Sequence, residues 1–280
     1  MNEPALNIRP LLIALAFCAA LFALPLAITL ITSFRNSPAM GVVGDEWTFA
    51  NYVKLTHDGY FAGVLLTTVE LGLVTATAAT IVAYPLAYFI VRSPSRWVKV
   101  ILALIIAPMF ISSVVRALGW ILVLGEFGPL NVALQSLGVI SAPLKLTYNF
   151  AGVVIAVIHW VFPFVVLILV AAIHAVNPVL EEVANDLGAG VWQTFTRVTL
   201  PLTLPGIVSA FLLALSATVS GYTTMVLMGG GKVKVASMVV ADYFRGVLDY
   251  PAGAAVSVVL LFTTLGLAML SHLAAKRGST

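Results

Sequence analysis

Glu70, Arg116, His159 and His174 stand inside long apolar stretches of this 280-residue chain, where an ionisable side chain is costly unless it meets a partner, a solute or water. Arg116 has three available roles: lining a solute pathway, pairing with Glu70, or reaching to the outer interface along its own stem. Glu70 either attracts a cationic solute or hydrogen-bonds with Thr67 and Thr68 on the preceding turn. His159, beside Trp160 and followed by Pro163, reads as a hydrogen bond between helices. A zinc site needs about three or four ligands, and His174 lies fifteen positions away with no histidine at i+4. Ser216, Thr218, Ser220, Tyr222, Thr223 and Thr224 form a hydroxylated stretch that serves either close helix packing or a wetted path. Tyr222 is its best residue for touching a solute. These groups assemble neither a nucleophile with its base nor a metal set, so no enzyme is expected.

The elements that must hold these residues follow from composition. Hydrophobic residues make up 61% of the chain and charged residues 9%, with a mean hydropathy of +1.09. Soluble domains are about 45–50% apolar and about 25% charged. Crossing a ~30 Å hydrocarbon core takes about 20 helical residues, because a helix satisfies its own backbone polar groups. Six runs meet that requirement, roughly 11–33, 62–91, 98–124, 151–174, 204–228 and 252–274. They are continuous blocks without alternation, which predicts an all-α membrane protein forming one transmembrane domain over 1–280 and argues against a barrel.

The first run is longer than the about 7–15 residues of a signal-peptide core, so it is expected to be retained. Six spans put both ends on one side. Arg92, Arg96 and Lys99 make a tight basic turn on that side, joined by Arg9, Arg197, Lys276 and Arg277. Basic residues in short loops mark the cytoplasmic face, so both termini are expected there in a multi-pass inner-membrane protein. Fourteen basic against eleven acidic residues give no nucleic-acid signature. Cys18, the single cysteine, forms no internal disulfide.

Between the fourth and fifth runs, residues 177–201 read as a helix-turn-helix knob. Asn177-Pro178 starts a helix, with a capping side chain and then proline. Val179, Leu180, Val183, Ala184 and Leu187 recur at helical spacing, opposite Glu181, Glu182, Asn185 and Asp186. Gly188 and Gly190 are expected to break the segment. Val191, Trp192, Phe195 and Val198 give the second piece an apolar face, and Pro201 and Pro205 mark its exit into the next span.

The spacing of Glu182-Val183-Ala184, Gly188-Ala189, Phe195, Val198 and Leu200-Pro201 resembles the E-A-A…G…LP loop of importer-type ABC transporter permeases, with Val183 where alanine is usual. Further segments resemble the spermidine/putrescine-type permease subgroup over nearly the whole chain. They are Pro108 to Trp120 (PMFISSVVRALGW), Gly128-Pro129-Leu130-Asn131, Leu137 to Ile140, Asp186 to Ala189, Pro205-Gly206-Ile207, Leu227 to Gly230 and Pro251 to Ala255. Met225 departs from a common proline.

This resemblance implies a type I ABC importer permease with six transmembrane helices and a cytoplasmic coupling helix within 177–201. It implies that Glu182, Ala184, Gly188, Ala189, Phe195, Leu200 and Pro201 contact a separate ATPase; Arg116, Tyr222, Glu70 and Trp120 are the residues of this chain expected to line the substrate pathway. The chain would bind no cofactor or metal itself, ATP being held by the partner ATPase. Implied partners are two ATP-binding subunits, a second permease, identical or related, an extracytoplasmic solute-binding protein and membrane lipid. The expected solute is a polyamine or a related compound, with an iron, opine or phosphonate compound as the alternative. An ion-driven secondary transporter often shows internal hydropathy repeats, and none is evident. The chain has no GxxxxGK phosphate loop.

Overall fold

A computed structural model describes residues 9–278, with the side chains of 17–271 and Leu273. The placement of both termini, and the side chains of Arg9, Lys276 and Arg277 on which it partly rests, lie outside these. The described residues form helices and turns, with one isolated β-bridge between Arg35 and Trp47 and no strand. The helices are α1 (Arg9–Ser33), α2 (Ala50–His57), α3 (Gly59–Arg92), α4 (Trp97–Ile106), α5 (Ser113–Leu124), α6 (Pro129–Ser136), α7 (Phe150–His174), α8 (Val179–Asp186), α9 (Val191–Thr194), α10 (Leu200–Ser220), α11 (Thr223–Gly229), α12 (Ala236–Asp242) and α13 (Tyr250–Gly278).

Five stretches among the described residues are long and apolar enough to span: Gly59–Arg92, Ser113–Ser136, Phe150–His174, Val191–Ser220 and Tyr250–Ser271. The first expected run is helical from Arg9 to Ser33, and Phe17–Ser33, its part with described side chains, is a shorter apolar helix. Two expected runs are interrupted. The run 98–124 divides into α4, a tight turn at Ala107–Phe110 containing Pro108, an extended link at Ile111 and Ser112, and α5. The run 204–228 stops at Ser220; Gly221 is extended, and α11 starts afresh at Thr223. A side chain on Gly221 would press on Trp160, and Ser237 Oγ donates to its carbonyl at 2.5 Å. The unbroken apolar character of both runs hid these breaks.

The chain divides into two compact units, Met1–Ala62 with Val239–Leu261 and Gly63–Met238 with Phe262–Thr280. In the first, Asn51 Nδ2 donates to the carbonyls of Ser33 and Arg35 at 3.0 and 2.9 Å. The Ser33 carbonyl is one that the end of α1 leaves free. Phe34 packs between Phe49 and Tyr52, with centroids 5.2 and 5.1 Å away.

The core of the second unit joins α3, α7 and α10. Ala76, Ala79, Ala83 and Ala87 of α3 are fully buried, as are Val157, Val161 and Leu169 of α7 and Ala210 and Ala214 of α10. Small residues let backbones approach where lipid and protein interior are equally apolar, so packing must supply the association. Gly206 of α10 lies directly against Ala172 of α7, and Gly72 of α3 against Leu215 and Val219. The Gly128-Pro129-Leu130-Asn131 segment is structural: Pro129 starts α6. Asn131, fully buried, donates to Gly125 O and Leu144 O and accepts from Leu144 N at 2.9, 3.0 and 2.7 Å.

Candidate functional site

The knob at 177–201 forms where the spacing places it, but its faces point in an informative direction. Asn177 Oδ1 accepts from Val179 N at 3.1 Å, and α8 follows with Glu181 and Glu182 in its first turn. The apolar residues of α8 are turned outward: Val179, Leu180 and Val183 are about half exposed and Leu187 is 83% exposed. Val183 therefore places its extra bulk away from the bundle. Val191 and Trp192, at 85% and 74% exposure, extend the patch onto α9. Glu182 is also exposed, while Glu181 turns inward.

The turn explains the spacing of Ala184, Gly188 and Ala189. Leu187 N bonds Val183 O at 3.0 Å, Gly188 N bonds Asn185 O at 2.9 Å and Ala189 N bonds Ala184 O at 3.0 Å. This is a Schellman closure, whose first residue beyond the cap must be left-handed. Gly188 has φ +89°. Ala184 and Ala189, both half-buried, are the pair such a closure brings together. Gly190 differs from expectation: its φ of −71° and ψ of 163° suit any residue, and it merely precedes α9.

Phe195 anchors the knob, with ring centroids 5.8 Å from Tyr84, 6.4 Å from Tyr88 and 5.6 Å from Trp192. Leu200 joins Phe195 and Trp192 in one wall of an apolar groove of ≈ 530 Å³, whose other wall is Tyr84, Pro85 and Tyr88. Pro201 does not end the second piece. Residues Val191–Ser220 run on as one helical rod, because Phe195–Thr199 forms a wide π turn just before the proline. The carbonyl with which a proline ring clashes, four residues back, is that of Arg197 within this turn.

Arg92, expected only as part of a basic turn, and Glu181, expected only on the polar face of α8, meet each other and Thr199 in a contact the sequence did not suggest. Arg92 Nε lies 3.0 Å from Glu181 Oε2 and Arg92 Nη2 lies 3.2 Å from Oε1. Nη2 also donates to Val176 O at 3.0 Å, and Thr199 Oγ1 donates to Glu181 Oε1 at 2.8 Å. The two side chains of this ion pair are 17% and 12% exposed. Arg92 and Glu181 are 89 positions apart, so nothing local in the chain pairs them. Two neighbouring bonds tie the same region: Tyr84 OH with Thr203 Oγ1 at 2.8 Å and Thr194 Oγ1 to Asn185 Oδ1 at 2.9 Å.

The expected pathway residues lie on α3, on α5 and at the break between α10 and α11. Arg116 is half-buried near the start of α5 and donates to Pro108 O at 3.2 Å. Neither the pairing with Glu70 nor the bonding of Glu70 to its threonines is present. Glu70 is exposed, Thr67 Oγ1 bonds Gly63 O, and Thr68 Oγ1 bonds Val64 O while accepting from Ala236 N. Trp120, one turn beyond Arg116, packs edge-on against His159 at 5.5 Å. His159 Nδ1 takes no hydrogen bond, so the expected bond between helices is replaced there by a ring contact. Tyr222 sits at the break between α10 and α11, 38% exposed. Met225 lies inside α11 and is fully buried.

Residues 77–278 match the family described as binding-protein-dependent transport system inner membrane component. The spermidine/putrescine transport system permease protein PotB of Escherichia coli (strain K12) is 33% identical over 88% of this chain and 89% of its own length. The putative 2-aminoethylphosphonate transport system permease protein PhnU of Salmonella paratyphi A is 28% identical over 99% of this chain and 95% of its own. A bacterial ABC transporter that imports the acidic polysaccharide alginate shares the fold, with a TM-score of 0.79 at 20% identity over 98% of this chain and 96% of the matched one. The broken apolar helices, the outward-facing knob and the family match converge: this chain belongs to the binding-protein-dependent transport system inner membrane components, as a multi-pass permease subunit of an ABC importer.

Proposed function

We propose that this permease passes a polyamine inward and that its 177–201 loop is the cytoplasmic coupling element. The observation that carries the coupling role is the outward apolar face of Val179, Leu180, Val183 and Leu187, continued by Val191 and Trp192. An exposed contiguous apolar patch on a polar knob marks a protein-docking surface, and an amphipathic helix enters a partner's groove through such a face. The partner is one of two ATP-binding subunits, which hold and hydrolyse the ATP. Glu182, at the exposed start of α8, and the Ala184–Gly188–Ala189 closure shape the docking surface; Phe195, Leu200 and Pro201 join it to the span. Arg92, Arg96, Lys99 and Arg197 support placing this face, and with it both termini, in the cytoplasm.

A second permease, identical or related, completes the pathway, and an extracytoplasmic binding protein delivers the solute. ATP binding closes the ATPase pair and shifts the bundle between inward-open and outward-open states, which requires contacts that differ between them. Arg116, Trp120, Tyr222 and Glu70 are the pathway residues. The polyamine reading rests on the likeness to PotB. An aminoethylphosphonate-type solute is the second reading, favoured by the likeness to PhnU over 99% of this chain. The test is ATPase activity of the reconstituted complex with spermidine or 2-aminoethylphosphonate and the binding protein, in wild type and Gly188→Trp. Stimulation by spermidine that vanishes in the variant supports the proposal. Stimulation by the phosphonate alone replaces the solute, and an unaffected variant removes the coupling loop.

A further inference from the structure

We infer that Arg92 and Glu181 are positioning residues that make the coupling helix and α3 move as one body, an inference that rests on the coupling role proposed for 177–201. A surface knob hinged only by its backbone would follow a docked ATPase without moving a span. Here four elements meet on two side chains. Arg92 ends α3, which at 34 residues and ~1.5 Å per residue is ~51 Å long. Its guanidinium holds the Glu181 carboxylate through two nitrogens and caps Val176 O, just past the end of α7. The same carboxylate accepts from Thr199 in the π turn that leads into α10. Glu181 thus receives hydrogen bonds from both sides of the knob and belongs to the knob itself.

The geometry suits force transmission. A side-by-side guanidinium–carboxylate contact resists rotation as well as separation, which a single hydrogen bond does not. Both side chains are mostly shielded, so the pair is little weakened by salt or water. Glu181 lies in the first turn of α8, where the helix dipole further favours its charge. The docking face of α8 uses other residues, Val179, Leu180, Val183 and Leu187. Docking and transmission are therefore separable by substitution.

The test uses the assembled transporter with its ATPase, in a Cys18→Ser background, with nitroxide labels on Asp186→Cys of α8 and Leu66→Cys of α3. Pulsed dipolar spectroscopy measures their separation without nucleotide and after vanadate trapping. In the wild-type pair of elements the distance is narrow and the same in both states. In Arg92→Gln and in Glu181→Gln the ATPase still co-purifies and hydrolyses ATP, while the distribution broadens and moves on trapping. Thr199→Val, which removes one hydroxyl and disturbs the fold least, broadens it to a smaller degree. The exchange Arg92→Glu with Glu181→Arg narrows it again. An unchanged distribution in Arg92→Gln, Glu181→Gln and Thr199→Val, or a wild-type distance that itself changes on trapping, overturns the inference. If the ATPase fails to co-purify with the wild-type chain, the coupling role itself fails.

Discussion

Replacing Gly188 by alanine isolates the backbone requirement of the knob from its packing. A methyl group at Gly188 would meet no atom within 4 Å, and the same is true at Gly190. Sterics with neighbours therefore contribute nothing at either position. The two differ only in φ, +89° against −71°. A β-carbon in the left-handed region costs roughly 1–2 kcal/mol, which shifts a local equilibrium about 5–30-fold. Gly188→Ala should therefore open the closure at Ala184–Ala189 to that degree. Gly190→Ala should be neutral or slightly stabilising, because it restricts the unfolded chain by about 0.4–1 kcal/mol. Amide hydrogen exchange reads the closure directly, at the Leu187, Gly188 and Ala189 N–H groups. Solute-stimulated ATPase of the reconstituted complex reads its consequence, with Gly188→Ala losing most stimulation and Gly190→Ala retaining it. Equal exchange and equal stimulation in the two variants would refute the assignment of Gly188 to a strained closure.

Gly206→Ala would drive a methyl group into Ala172, so the α7–α10 contact should lose about 1–3 kcal/mol, seen as a lower midpoint in thermal unfolding of the detergent-solubilised protein. Gly72→Ala meets only the flexible end of Leu215 and the Val219 methyl near 3 Å, and the same assay should show a smaller loss. Asn131→Ala strands the three backbone groups its side chain satisfies, each costing about 1–3 kcal/mol when buried; expression and thermal unfolding should both collapse, and Asn131→Asp should be no milder, because it keeps the acceptor for Leu144 N but sets a buried carboxylate oxygen against the Gly125 and Leu144 carbonyls. Glu70→Gln, at an exposed position outside any ion pair seen among the described residues, should leave the unfolding midpoint unchanged. Its spermidine uptake should fall about two- to fivefold, the scale of an exposed charge contact, and unaltered uptake would remove Glu70 from the pathway.

Much of this architecture is written in local pattern. Runs of Leu, Ile, Val and Ala long enough to cross a bilayer announce the helices, and the amphipathic period of Val179 to Leu187 announces α8. The offsets of Ala184, Gly188 and Ala189 are legible because a helix closure is itself local chemistry. The interruptions at Ile111–Ser112 and Gly221–Tyr222 escape a hydropathy reading, since a broken apolar run stays apolar; only Pro108 and Gly221 hint at them. Pro201 misleads in the other direction, because the π turn that accommodates it is formed by ordinary residues, Phe195 to Thr199. The Arg92–Glu181 contact is invisible for a further reason. It depends on which face of α8 the bundle turns inward, and amphipathicity alone would have buried the apolar side.

The π turn at Phe195–Thr199 also sets an angular phase. A wide turn of this kind amounts to one additional residue in a helix, and each residue advances a helix by ~100°. Deleting a single residue between Phe195 and Thr199 would let Val191–Ser220 wind as an ordinary helix, swinging everything before it through roughly a quarter of a revolution. Phe195 would swing away from Tyr84 and Tyr88, carrying Trp192 with it, and the outward patch would aim at a different neighbour although no residue of the patch had changed. Chimeras that graft the knob of one permease onto the span of another therefore need their junction outside 195–199, or they will join two correct parts at the wrong bearing.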